Sequence, residues 1–316
     1  MSAARNTVDY LVTGAQGQLG RAVMALLAQR GQRAVGVDVQ EMPLESRQAI
    51  ASTVAAQRPR FVLHLGAITN VDGCEAEPLV ACRINALATA WVAEAAAAAG
   101  AGMVYVSTDF VFDGSQHGTP YAVDAVPKPL SVYGLSKRLG EEAVLAHGRP
   151  DFYVVRTSWV FGPGGKNFPR AILTRAQSGQ PLKVVTDQVG RPTMTLDLAE
   201  ALVDLAESKA PGGIYHAANE GQCSWHQFAV DILQAAGLGH VTVGTQLAAD
   251  LNQPAKRPAW SVLDTQKLAQ VRGTKLPHYT DALRRHLELD RTAAPAASDT
   301  GQADKSPGGP LRGKQY

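Results

Sequence analysis

The sequence predicts an α/β chain built on a doubly wound parallel sheet, followed by a smaller C-terminal α/β part. Three observations predict it. Short runs rich in Val, Ile and Leu at 8–13, 34–38, 61–66, 103–107 and 153–158 alternate with longer helical patterns. Such near-continuous apolar strands belong to a sheet covered on both faces. A glycine-spaced turn, Gly14-Ala15-Gln16-Gly17-Gln18-Leu19-Gly20, joins the first run to the first helical pattern. With 316 residues, 45% of them hydrophobic, the chain can bury a core large enough for one big domain or a large plus a small one.

The elements follow in order. The strand at 8–13 leads through the turn to a helix at 19–29, which Gly31 stops. A strand at 34–38 precedes a helix at 45–57, ended before Pro59 because proline cannot continue it. The strand at 61–66 is followed by a helix at 78–99, Ala-rich and closed by Gly100. The strand at 103–107 leads to a helix at 133–145, closed by Gly148, and the strand at 153–158 completes the alternation. Beyond it come loops rich in Gly, Pro and Asn, such as Gly162-Pro163-Gly164-Gly165-Lys166-Asn167. Helical periodicity returns at 224–236 and 281–289, and a buried strand at 213–217 is expected to rejoin the large sheet. The expected division is a dinucleotide-binding domain over 1–160 and a substrate-binding part over 161–290. A disordered tail of Ala, Pro, Ser, Gly and Asp is expected over 291–316.

A net charge of +2 with interspersed signs gives no basic stripe for nucleic acid or acidic lipid. The N-terminus has no basic-then-apolar signal pattern, and the apolar stretch at 86–106 is interrupted by Glu94, Gly100 and Gly102. A cytoplasmic protein with no membrane partner is therefore expected. Three cysteines without CxxC spacing, Cys74, Cys82 and Cys223, read as reduced thiols, with Cys74 close to the expected site. No carboxylate pair or His/Cys cluster has metal-ligand spacing, so no metal is assigned; an Mg2+ ion between subunits has no support in the sequence.

The strand–GxxGxxG–helix context is that of a Rossmann-type dinucleotide site. Gly14, Gly17 and Gly20 let the backbone approach a pyrophosphate, whose charge the free N–H groups of the helix N-terminus stabilise. Asp38 ends the second strand, where a carboxylate accepts both ribose hydroxyls of NAD and repels a 2′-phosphate. Arg21 and Arg33 lie close in sequence, so NADH is favoured and NADPH stays open.

Tyr133 and Lys137 stand four residues apart and leave one helix face. A phenol is a useful general acid near neutrality only when a cation lowers its pKa from about 10, and Lys137 is expected to do so while reaching a cofactor ribose. Thr108, at the carboxyl end of its strand, can hydrogen-bond a carbonyl. Alone it would read as a helix or turn cap. Together the three residues polarise a ketone for hydride transfer.

With these motifs the chain resembles the extended short-chain dehydrogenase/reductase superfamily and, more closely, the dTDP-4-dehydrorhamnose reductase family, over roughly residues 8–289. Besides the glycine turn, the resemblance rests on Thr69-Asn70-Val71-Asp72 with Glu75, and on Ser107-Thr108-Asp109-Phe110-Val111-Phe112-Asp113-Gly114. It continues through Tyr133 to Lys137, Arg156-Thr157-Ser158-Trp159-Val160-Phe161-Gly162, Asp187-Gln188-Val189-Gly190-Arg191-Pro192-Thr193 and Arg257-Pro258. It implies Thr108, Tyr133 and Lys137 as the catalytic triad. Gly17, Gln18, Leu19, Asp38, Val39, Gly66, Ala67 and Thr69 would line the cofactor, with Thr69, Val71 and Trp159 facing a sugar. The chain departs from the family at Phe110, where a Tyr is usual, in the stretch Glu41-Met42-Pro43-Leu44, and at His64, which reads as a satisfied strand histidine.

Lys183, Arg191, Lys256 and Arg257 are candidates to neutralise a nucleotide diphosphate, and Arg257 is preferred. His216 and Trp225 read as core or cap residues. The reading is an NAD(P)H-dependent reductase of a nucleotide-linked 4-keto-6-deoxyhexose, a homodimer by analogy. Its rivals are a sugar-nucleotide epimerase and a non-catalytic dinucleotide-binding subunit.

Overall fold

The computed structural model describes residues 8–293. The first half runs β1 (Val8–Thr13), α1 (Gln18–Gln29), β2 (Ala34–Val37), α2 (Arg47–Gln57), β3 (Pro59–His64), α3 (Val71–Ala76) and α4 (Pro78–Cys82). It continues with α5 (Ala88–Ala98), β4 (Gly102–Thr108), α6 (Val132–Leu145) and β5 (Phe152–Thr157). Then come β6 (Val160–Phe161), α7 (Phe168–Gln177), β7 (Leu182–Val185), β8 (Val189–Gly190), β9 (Thr193–Met194), α8 (Thr195–Glu207) and β10 (Gly213–His216). The chain ends through β11 (Cys223–Ser224), α9 (Trp225–Ala235), β12 (Val243–Gln246), α10 (Gln266–Arg272) and α11 (Tyr279–Ala293).

Six strands form one sheet of order β10-β5-β4-β3-β1-β2, and every pairing in it is parallel. The pleat sends Leu11, Val62 and Val154 to one face, where Ile50, Val92 and Val144 cover them. Tyr10, Val12, Leu63 and Val155 go to the other, against Val23, Leu27 and Leu202. Both faces are dry, which is why these strands carry no polar alternation. The chain passes from β1 to β2 on one side and returns to β3 on the other, so a crevice opens beyond the carboxyl ends of β1 and β3. A separate cluster of Phe161, Leu182, Phe228 and Leu283 organises α7, α9 and α11 at that end. As expected, β10 returns to the large sheet, pairing with β5.

Several boundaries differ from expectation for local reasons. Arg58, not Pro59, closes α2, by turning left-handed (φ 43°). The proline ring disfavours the right-handed helical region for the residue before it, and Pro59 is then free to begin β3. The helix expected at 78–99 carries a π-helical turn at Arg83–Leu87 between α4 and α5. The extra residue rotates Asn85 inward, where it is fully buried. By length and composition the stretch Pro78–Ala98 could cross a bilayer, yet Ala88, Val92, Ala93 and Ala96 pack into the core beside the sheet. Residues 291–293, expected in the tail, are the last turn of α11; the rest of that expectation lies outside the described residues.

Candidate functional site

Glycines shape the first wall. Gly14 takes φ +65°, and an ideal Cβ on it would lie 2.8 Å from Gly66 Cα, so the turn closes only without a side chain. A Cβ on Gly20 would collide with the Gly14 carbonyl, so α1 sits directly on the turn. Gly17 caps α1 without any side-chain hydrogen bond. The N–H groups of the first helical turn are thus left for an anion, and the residues fit the pyrophosphate of a dinucleotide. Asp38, at the end of β2, accepts the N–H groups of Gln16 (3.0 Å) and Val39 (2.9 Å) and lines the same cleft. Of the two nearby arginines, Arg33 is paired with Asp9 on the far side. Arg21 donates to the carbonyls of Gln16 and Gly164.

The cleft encloses about 590 Å³ and brings Gly14, Gly17, Gln18, Leu19, Gly20 and Asp38 together with Thr69, Val71, Thr108, Tyr133, Lys137 and Trp159; Ala67 also lines it. Three expected residues stand outside its wall. Gly66 lies under Gly14, and Val39 is half-buried behind Asp38. Arg257 forms a two-point ion pair with Asp72 (2.8 and 3.2 Å), which engages its guanidinium next to α3. That guanidinium and the Ala255 N–H hold the Asp72 carboxyl below its usual range even though burial pushes it up.

Thr108 is the cap that its position allows. Its hydroxyl accepts the Phe110 N–H (3.2 Å), capping a short turn at Asp109–Val111, and donates to Asp109 Oδ1 (3.1 Å). Tyr133 lies in the first turn of α6, which Ser131 caps through the Gly134 N–H (3.2 Å) while Glu75 accepts the Val132 N–H (2.8 Å). The edge of Tyr133 meets Phe110, with ring centroids 5.9 Å apart.

The electrostatics correct the sequence expectation. Burial raises the Tyr133 phenol above its ordinary value, with the Thr108 hydrogen bond opposing and the Asp109 charge adding. Lys137 does not offset this, because it is itself 3% exposed and burial pushes its ammonium down to about 7, with Glu141 pulling it back up. Its Nζ sits 4.2 Å over the Tyr105 ring. Desolvation of both groups outweighs their proximity. Burial likewise pushes Asp109 up to about 7, against hydrogen bonds from Ser261 and Thr108, and its Oδ2 is buried without a partner.

Several residues with a part in the site were not legible in the sequence. Trp225, expected as core or cap, stacks on Trp159 and lines the cleft. Asn85, brought inward by the π turn, accepts the Ile68 N–H (2.8 Å) and donates to Ile68 O (3.0 Å) and Ser136 Oγ (3.0 Å), tying the loop after β3 to α6. Lys166, in the glycine-rich loop, lines the cleft, and its carbonyl accepts from Gln18 (2.6 Å). Only the loop's Gly-Gly-Lys-Asn composition hinted at it. Arg191 is paired with Glu220 (3.0 Å). His64 bridges the hydroxyls of Thr13 (2.8 Å) and Thr89 (3.1 Å), a satisfied strand histidine pushed down to about 3 by burial and Lys137. Cys74 is buried and its thiol is pushed up to about 12, which makes it inert rather than redox-active.

The family model described as the RmlD substrate binding domain matches residues 8–291. A spore coat polysaccharide biosynthesis protein of Bacillus subtilis is 38% identical over 285 residues, covering 90% of this chain and 98% of the relative. A dTDP-4-dehydrorhamnose reductase of Streptomyces griseus is 38% identical over 278 residues, covering 87% and 91%. The crystal structure of a dTDP-4-dehydrorhamnose reductase from Bacillus anthracis in complex with NADP superposes with a TM-score of 0.84 at 31% identity, covering 90% of this chain and 99% of that one. From the glycine turn to the last helix, the chain belongs to the dTDP-4-dehydrorhamnose reductase family of the extended short-chain dehydrogenases/reductases.

Proposed function

We propose that the protein reduces the C4 ketone of a nucleotide-linked 4-keto-6-deoxyhexose at the expense of NADH or NADPH, and that dTDP-4-dehydro-L-rhamnose, giving dTDP-L-rhamnose, is the substrate it fits best. The observation that carries the reading is the convergence of Thr108, Tyr133 and Lys137 in the cleft that also holds the glycine turn and Asp38. The full-length similarity to reductases of that sugar nucleotide, one of them bound to NADP, supports it.

A dinucleotide held in this cleft would supply the hydride that C4 accepts. Thr108 orients the ketone oxygen through its hydroxyl, and Tyr133 gives that oxygen its proton, so the carbonyl becomes an alcohol and the phenolate recovers a proton from solvent. Lys137 in its ammonium form would hold the nicotinamide ribose of a bound dinucleotide and favours the phenolate left behind. Asp38 would accept the adenosine ribose hydroxyls, and the uncapped start of α1 would take the pyrophosphate. The paired rings of Trp159 and Trp225 offer an apolar wall to the hexose, and Lys166 a cation to a diphosphate.

The test follows the absorbance of NADH, and separately NADPH, when the protein meets freshly made dTDP-4-keto-6-deoxy-L-lyxo-hexulose. Consumption with formation of dTDP-L-rhamnose is expected. Dinucleotide binding without consumption would overturn the substrate assignment.

A further inference from the structure

One turn beyond Lys137 on α6, Glu141 is fully buried, and all its hydrogen bonds go to elements that carry the site. Its Oε1 accepts from Ser107 Oγ (2.6 Å) and Arg156 Nε (2.8 Å); its Oε2 accepts from Arg156 Nη2 (2.7 Å) and Arg138 Nη1 (3.2 Å). Ser107 immediately precedes Thr108 at the end of β4. Arg156 lies three residues before Trp159 at the end of β5. The carboxylate therefore joins the three segments that present Thr108, Lys137 and Trp159.

Stability is a poor explanation for such a group. Burying a carboxylate and a guanidinium costs several kcal/mol per ion, and an apolar pair of similar volume is often as stable. Its place in the charge pattern explains it better. Arg156 and Lys137 are both buried cations, at 0% and 3% exposure, and Glu141 is the buried carboxylate bonded to the first and one helical turn from the second. The close contact of the Lys137 ammonium is an aromatic face. A ring face offsets less of the cost of burying an ammonium than a carboxylate does.

We propose that Glu141 is a positioning residue: its carboxylate is the counter-charge that favours the ammonium form of Lys137 in the cleft, and through Ser107 and Arg156 it fixes the strand ends bearing Thr108 and Trp159. The role of Lys137 in turnover rests on the reductase reading above; the charge relation does not.

The other titratable groups on the elements packed around Lys137 are of two kinds. His64 on β3 and Cys74 on α3 are kept neutral by burial, as are Tyr105 on β4 and Tyr133 on α6. The charged groups on the elements around α6 are Arg138 on α6 itself, which also reaches Glu142 at the surface (3.1 Å), Arg156 on β5, and Glu75 on α3, which accepts the Val132 N–H; Asp109 after β4 is pushed up to about 7 by burial. Removing the Glu141 charge should therefore make Lys137 lose its proton at lower pH. Removing Arg138, which neutralises part of Glu141, should do the reverse.

The experiment is a pH titration by NMR of the full chain labelled with [ε-13C]lysine, with the Lys137 signal assigned by its loss in Lys137→Met. In Glu141→Gln, which keeps the shape and two acceptor lone pairs, the titration midpoint should fall by about one pH unit or more. In Arg138→Gln, a change at the rim of the helix that keeps the fold even where Glu141→Gln does not, it should rise. A purely structural Glu141 would lower the unfolding temperature and leave both midpoints unmoved, and that result, or shifts of the same sign, would overturn the proposal. The alkaline limb of NADPH oxidation should move with the NMR midpoint. Shifted midpoints in a protein that reduces no sugar nucleotide would sink the reductase reading and leave the Glu141–Lys137 relation standing.

Discussion

The indole rings of Trp159 and Trp225 lie 3.6 Å apart and 6° from parallel, and Trp159 reaches this stack with a left-handed backbone, φ 47°. Such a conformation costs a bulky residue about 1–3 kcal/mol, so it persists only where neighbours over-determine it. Trp225 holds one face. Gly190 leaves room for the ring edge, because an ideal Cβ there would come within 2.5 Å of it. Replacement of Trp225 by Ala should release Trp159 and raise KM for the sugar nucleotide by roughly two- to tenfold, the worth of an aromatic pair of about 0.5–1.5 kcal/mol, with KM for the dinucleotide unchanged. Steady-state kinetics with each substrate varied in turn checks this; equal effects on both constants would count against a sugar-facing wall.

Tyr133→Phe keeps the ring against Phe110 and removes only the proton donor. Dinucleotide affinity, read by nicotinamide fluorescence, should stay close to that of the unaltered protein while kcat falls by a factor of roughly 10² to 10⁴. Undiminished turnover would mean that another group, with Asp109 the nearest buried acid, protonates the product.

Asp38 accepts two backbone N–H groups and also faces the cleft. Asp38→Asn keeps one oxygen acceptor and deletes the charge that repels a 2′-phosphate. The ratio of kcat/KM for NADPH over NADH should rise about tenfold, or about 1.4 kcal/mol. An unchanged ratio would place cofactor choice elsewhere, Arg21 being the adjacent cation.

Two fully buried histidines and one buried aspartate contribute to acid stability with opposite signs. His64 and His216 are held neutral, each pushed down to about 3 by burial and a neighbouring cation, so below their unfolded value of about 6.5 the unfolded chain binds the extra protons. Each therefore contributes stability that is lost as pH falls from about 6.5 toward 3, at no more than about 1.4 kcal/mol per pH unit. Asp109, raised to about 7, binds its proton in the folded state first and so adds stability as pH falls from about 7 toward 4. The net slope keeps the sign of the histidines. Asp109→Asn should make the acid loss steeper, measured by denaturant unfolding at pH 7, 6 and 5; a shallower loss would reverse the assignment.

Much of the fold was legible because its signals are local. Five apolar runs became the five strands β1 to β5 within one or two residues at each end, and Gly31, Gly100 and Gly148 all adopt positive φ where helices stop. The glycine turn, Asp38, Thr108, Tyr133 and Lys137 were readable because each sits at a fixed distance from a strand end or shares a helix face. The two-stranded pairings β6 with β9, β7 with β12 and β8 with β11 were not readable. Each involves strands of two to four residues, too short to show a period, with partners distant in the chain.

What the sequence determined by itself was the doubly wound sheet, the dinucleotide turn and the placement of Thr108, Tyr133 and Lys137 toward one cleft, since backbone geometry and residue spacing set them with little help from the rest of the chain. Tertiary structure decided their electrical state and their company. It turned the expected lysine-assisted acidic phenol into a pair of desolvated groups, engaged Arg257 with Asp72, and set Trp225 against Trp159. It also made Glu141 the buried carboxylate beside two buried cations. Charge and stacking depend on burial and on neighbours far away in the chain, and those exist only once the sheet, α6 and the C-terminal helices have packed together.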